Sequence, residues 1–115
     1  MTSPQKRKGD VAELEIARIL HDLTGWPVRR KLGAGRTDDE GDLEGIPDTV
    51  VQVANWADVN RAIRQKPLEA EQQRANAGAI FAVTLIRLRG GMWRAVLTPE
   101  QLATWMREAI EPETT

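Results

Sequence analysis

The sequence has no cysteine, a single histidine, and no apolar run close to the roughly 20 residues that a membrane-spanning helix requires. Without cysteine there are no disulfides, no zinc–thiolate sites and no thiol nucleophile, and a reducing, cytoplasmic setting is the natural expectation. His21 has no second ligand at metal-binding spacing and is assigned no role. Membrane partners are not expected. The opening stretch, MTSPQKRKGD, is polar and has no apolar h-region behind it, which argues against secretion. An excess of charge of either sign is also missing: 16 basic residues face 17 acidic ones, for a net charge of −1. Bulk charge therefore predicts no nucleic-acid partner.

What the sequence does have is an uneven distribution of charge. Lys6, Arg7 and Lys8 cluster near the start, and Arg29, Arg30, Lys31 and Arg36 form a second basic group. The acids Asp38, Asp39, Glu40, Asp42 and Glu44 follow at once, and Arg87, Arg89 and Arg94 form a third basic group. Basic rims around an acidic centre suit a site that holds phosphates and a divalent cation, although solvated surface charge gives the same pattern. The length of 115 residues fits one domain, with 1–7 and 111–115 expected to be flexible.

The periodicity gives the order of elements. Ala12, Ile16, Ile19, Leu20 and Leu23 recur at helical spacing, predicting a helix over 9–24 closed by Gly25. A strand over 26–32 leads into the loop Gly33-Ala34-Gly35, and a short strand over 42–44 forms a hairpin with the β-branched run TVVQVAN, 49–55. Residues 58–77 are helical in pattern, with Pro67 predicted to kink or split the helix and Gly78 to end it. A strand over 79–89 turns at Gly90-Gly91 into another over 92–98. The last helix opens with Thr98 as cap, Pro99 in the first position and Gln101 completing a capping box. Leu102, Trp105, Met106, Ala109 and Ile110 then form its apolar stripe. Trp26, Trp93 and Trp105 are assigned to the core or an interface; Asn55 and Trp56, just after the third strand, are open to DNA contact, with packing the first reading for Trp56. The order α-β-β-β-α-β-β-α indicates an α/β domain, a mixed sheet with helices packed on it.

That order carries a set of residues in sequence: Lys8-Gly9-x-x-x-Glu13 at the start of the first helix, a glycine-rich loop, Asp42 opening the second strand, and Gln52-Val53-Ala54 on the third. Over residues 6–90 this resembles the PD-(D/E)XK nucleases, in particular the Holliday junction resolvases of archaeal and phage type. The resemblance implies a restriction-endonuclease-like fold and a homodimer that cuts branched DNA with Mg²⁺ or Mn²⁺, in the cytoplasm of a bacterial host if the protein is phage-borne. It assigns metal binding to Glu13 and Asp42, with Gln52 as a third ligand. Lys6, Arg7, Lys8, Arg29, Arg30, Lys31 and Arg36 are the phosphate-contact residues expected beside them.

The chain departs from the pattern at two positions. The family carries Glu-x-Lys where this sequence has Gln52 and Ala54. Side chains on a strand alternate, so both still share the face that a Glu and Lys would occupy. A neutral amide can ligate a hard cation but adds no charge, and alanine supplies no ammonium. The loss of one positioned donor costs on the order of 10²–10³ in rate. Lys66, on the helix after this strand, is the first candidate to replace the lysine; Arg36 and Lys31 are others. Three functions follow: a metal-dependent endonuclease, a nuclease-derived protein that binds branched or duplex DNA without cutting it, and an assembly protein that keeps only the scaffold.

Overall fold

A computed structural model describes residues 3–31 and 41–110. Helix α1, Pro4–Thr24, starts earlier than the apolar stripe implies. Ser3 caps it by accepting from the Lys6 amide, and Pro4 takes the first turn, where its missing N–H costs nothing. Residues 4–7, expected to be loose, are thus helical. Strand β1, Arg29–Arg30, is much shorter than the predicted 26–32, whose last residue lies outside the described residues. It pairs antiparallel with β2, Leu43–Glu44. Gly45 follows at φ 94, and a Cβ there would stand 2.1 Å from the Pro27 carbonyl oxygen, so only glycine allows this turn to press against the entry to β1.

Strand β3, Thr49–Ala54, pairs in parallel with β4, Phe81–Arg87, from Thr49 opposite Phe81 to Ala54 opposite Ile86. Parallel strands need a long crossover, and α2, Val59–Ala77, supplies it. Leu88, Gly90 and Gly91 turn the chain into β5, Trp93–Val96, antiparallel to β4; both glycines have positive φ. The order in the mixed sheet is β3-β4-β5, and one backbone bond, from the Asp42 amide to the Val51 carbonyl at 2.8 Å, ties the β1-β2 pair to it. Helix α3, Pro99–Ala109, closes the fold with the predicted capping box between Thr98 and Gln101 in place. Among the described residues no helix is long and apolar enough to cross a membrane.

The helices cover opposite faces of β3. Val51 and Val53 pack with Ala12, Ile16 and Ala17 of α1 and with Val28, Leu43 and Leu85. The alternate face meets α2, where Ala54, Ala62 and Ile86 form a second cluster. Three expectations fail. The strand over 42–44 does not form a hairpin with 49–55: β2 pairs with β1, and β3 receives the Asp42 backbone bond instead of a ladder. Pro67 does not split α2, which runs unbroken for 19 residues. The proline is buried and its carbonyl accepts from the Gln101 side chain at 3.0 Å, so packing under α3 outweighs the lost helical bond. Most of the α3 stripe does not face inward either, Trp105 excepted. Leu102, Met106 and Ile110 are exposed, while Gln101 is buried and Trp105 stacks on Phe81 with ring centroids 4.1 Å apart.

The α2 face of the sheet holds an uncommon amount of polarity. Gln52, Gln73 and Thr84 are all buried, and Thr84 sits beside Gln52 in the parallel register. Thr84 Oγ1 has no hydrogen-bond partner among the described residues. A buried, unsatisfied hydroxyl costs about 1–3 kcal/mol, so Thr84→Val, which keeps the branched shape, is expected to stabilise the protein by about 1 kcal/mol. Thermal denaturation should then show a midpoint raised by roughly 4 °C, and a lowered midpoint would refute it.

Candidate functional site

The site indicated by the sequence lies where β2 and β3 diverge. Asp42 donates its backbone amide to the Val51 carbonyl and accepts on its carboxylate from the Val53 amide, at 2.7 Å, so it caps the free edge of β3. Gln52 is 2% exposed and points to α2. Its amide nitrogen donates to the Gln73 side-chain oxygen, and its oxygen accepts from the Lys66 ammonium at 3.3 Å. Lys66 is also paired with Glu69 at 3.3 Å. Lys66, expected on the helix after β3, lies on α2 and brings its charge to Gln52. Ala54 is 1% exposed and closed beneath Ala62, Ile86, Trp56 and Val59.

Glu13 stands elsewhere. It projects from α1, on the opposite face of β3 from Gln52, and accepts from Arg30 Nε at 3.0 Å. Arg30 also donates to Asp10 at 2.8 Å, so one guanidinium is shared by two carboxylates. Of the other predicted phosphate contacts, Lys6 lies 3.7 Å from Asp10 and Arg29 lies 3.5 Å from Glu44. The Lys31 amide donates to the Asp42 carbonyl. Arg36, like Asp38, Asp39 and Glu40, lies outside the described residues. Arg7 and Lys8 are exposed and enter no ion pair among the described residues.

Arg7 and Lys8 border a cleft that the motif residues do not single out. Strands β3 and β4 run in parallel and end on the same side, where ligands settle in open α/β sheets. There the first turns of α1 and α2 enclose a cavity of about 580 Å³, lined by Pro4, Lys8, Val53, Asn55, Trp56 and Arg61 among others. A second cavity of about 420 Å³ shares Pro4, Lys8 and Asn55 and adds Arg7 and Arg87. The Arg61 guanidinium lies 5.7 Å from the centre of the Trp56 ring and the Lys66 ammonium 5.2 Å, both within cation–π range. Val53, capped by Asp42, is part of the wall, so the cleft adjoins the motif residues. The basic triplet at 6–8 points here, as does the position of Asn55 and Trp56 just after the strand, where a DNA contact is the alternative to the packing that Trp56 first suggests; Gln73 and Arg61 give no signal.

Glu15, whose angular position on α1 suggests a solvated residue, joins that helix to the sheet. It accepts from the Trp93 indole at 2.7 Å and from Arg87 Nε at 3.1 Å. These two hydrogen bonds, Trp93 first, hold its carboxyl below the usual glutamate range. A lowered folded pKa contributes stability above the ordinary glutamate pKa of about 4.3, and that contribution is lost as pH falls through the folded value. Glu15→Gln is therefore expected to be less stable than the parent at pH 7, with the gap starting to narrow as pH falls below about 4.3. Urea midpoints from pH 7 to pH 3 test this; a gap independent of pH would show that the carboxylate charge is irrelevant.

The Mg²⁺ implied by the resemblance does not fit the described residues. Glu13 and Gln52 face opposite sides of β3, Glu13 is neutralised by Arg30, and a cation at the Gln52 oxygen would meet the Lys66 ammonium. Among the described residues no group of three or more histidine, aspartate or glutamate side chains is placed to hold a metal ion. Comparison with protein-family models, with curated proteins and with solved structures gives no match.

Proposed function

We propose that this chain is a nuclease-derived DNA-binding protein of restriction-endonuclease-like type, which holds duplex or branched DNA through its phosphates and does not cut it. The observation that carries this reading is the state of the two altered motif positions. Gln52 is tied into an amide–ammonium cluster with Gln73 and Lys66, and Ala54 is sealed under α2. A site that must gather negative charge around a cation is here a packed joint between strand and helix whose charge at Gln52 is the Lys66 ammonium. DNA binding is supported by Arg7 and Lys8 at the mouth of the cleft, which enter no ion pair among the described residues, with Arg61 beside Trp56. Contacts of this kind fix position on a nucleic acid without reading bases.

One observation favours the metal-dependent endonuclease as a second reading. Lys66 brings an ammonium to the residue that aligns with the catalytic Glu, as a lysine displaced from position 54 would. A single experiment separates the two. A labelled four-way junction and a linear duplex are incubated with the protein in Mg²⁺, Mn²⁺ or EDTA, and binding and nicking are recorded in the same samples. Salt-dependent binding that is equal in EDTA and metal, without nicking, is the expected result. Metal-dependent nicking that vanishes in Lys66→Ala would establish the endonuclease. Absence of binding would remove both and leave the assembly role. The symmetric dimer that junction recognition requires is part of the same proposal, and is checked by light scattering with and without the junction.

A further inference from the structure

We infer that the cleft between the first turns of α1 and α2 seats one unpaired nucleotide, its base stacked on the Trp56 ring; this rests on the DNA-binding reading above. Trp56 follows β3 directly and is only half-buried: it packs against the Ala54, Ala62 and Ile86 cluster and still lines the cavity, where the Arg61 guanidinium, 5.7 Å from the ring centre, must swing aside for a base to stack. The walls around it, Pro4, Gly9, Val53 and Ala57, are largely carbon, and a Cβ added at Gly9 would meet nothing within 4 Å. A cavity of about 580 Å³ is in the range that encloses a small organic ligand such as a nucleotide.

The charges of the cleft select among such ligands. Lys8 comes from the α1 wall and Arg61 from the α2 wall, so cations border the cavity on both sides, while Asp58, the acid in the lining, is engaged in capping α2 through the Arg61 amide. That arrangement suits a flat, electron-rich ring carried on a backbone with a phosphate before and after it. Asn55 adds an amide that can both donate to and accept from a base edge. A base inside a duplex cannot reach a recessed ring, because both its faces are occupied by neighbouring base pairs. Stacking on an aromatic side chain is the mode by which proteins hold bases that have left the stack. The substrate class is therefore DNA with exposed bases: single strands, flaps and the open centres of junctions.

The test uses the full chain in EDTA, a fluorescent oligothymidylate and a duplex of equal length. Trp56→Ala is expected to weaken binding of the oligothymidylate about tenfold and to leave duplex affinity within about twofold. Trp56→Phe, which keeps an aromatic face, should recover most of the loss. Lys8→Ala should weaken both ligands and lower the slope of log affinity against log salt by about one. If Trp56→Ala lowers the thermal midpoint, Trp56→Leu replaces it, since it fills the space without a π face. Equal loss on both ligands, or no loss on either while Lys8→Ala still weakens the duplex, would overturn the nucleotide site and leave the proposed function standing. Failure of the parent protein to bind either DNA would overturn both.

Discussion

Arg7→Glu together with Lys8→Glu is expected to lower affinity for duplex and junction DNA by about 100-fold at physiological salt, while leaving the protein as stable as its parent or more so. The first part follows from counterion release. Each phosphate that the protein no longer neutralises takes about 0.9 from the salt slope, so two should take nearly two, and about tenfold in affinity for each phosphate is 1.4 kcal/mol. The second part follows from where these residues stand. Lys6 and Arg7 lie in the first turn of α1 and Lys8 just after it, with no acidic residue in that turn. A helix N-terminus carries partial positive charge, so cations there are unfavourable and carboxylates favourable, by about 0.3–1 kcal/mol each. Lys6 has Asp10 as a partner, but Arg7 and Lys8 enter no ion pair among the described residues, and two such cations at the positive end of a helix are a local electrostatic conflict that an anionic ligand resolves. Filter binding or fluorescence anisotropy at several salt concentrations, beside a thermal melt, measures both quantities. Undiminished DNA affinity would remove the cleft from the interface, and a large fall in the melting midpoint would show that the triplet serves the fold.

Much of this architecture is legible in the residues, and the misses have physical causes. The α3 start is readable because Thr98, Pro99 and Gln101 act locally through their own backbone, and the Gly90-Gly91 turn because two consecutive positive φ values demand it. The start of α1 is missed because an apolar stripe reports where a helix packs, not where it begins; the Ser3-Pro4 pair carries that signal. Pro67 and the α3 stripe mislead for the converse reason. Both depend on what packs against them, and Gln101 reaching Pro67 and Trp105 stacking on Phe81 are long-range facts. The site divides in the same way. Order and spacing lead to Asp42, Gln52 and Lys66, and Lys66 does reach Gln52. The separation of Glu13 from Gln52 is not readable, because it depends on which face of β3 each helix covers. Gln73, whose role emerges only across the strand–helix contact, leaves no local trace.

Restoring the motif should not restore cleavage. The double substitution Gln52→Glu with Ala54→Lys recreates the Glu-x-Lys of the resemblance, and it is expected to give no Mg²⁺-dependent nicking and a melting midpoint at least about 10 °C below the parent. The two changes are unequal. A carboxylate at 52 would face the Lys66 ammonium, which already stands 3.3 Å from the Gln52 oxygen, and the Gln73 amide can rotate to donate to it, so this change is expected to cost little. A lysine at 54 has no such accommodation. Ala54 is 1% exposed, Ala62 across from it is 0% exposed, and Ile86 closes the side, so α2 rests on β3 through alanine contacts that leave no room for a four-carbon stem. Overpacking costs about 1–3 kcal/mol, and a buried ammonium adds to that unless it is fully paired. About 3 kcal/mol in total corresponds to roughly 10 °C or more for a chain of this size. Gln52→Glu alone, melting close to the parent, is the control that assigns the loss to position 54. Recovery of metal-dependent nicking at an unchanged midpoint would show instead that the helix yields over Ala54 and that two side chains alone separate this protein from an active nuclease. In that case the packing of α2 would be a consequence of the substitutions and not the reason cleavage is lost.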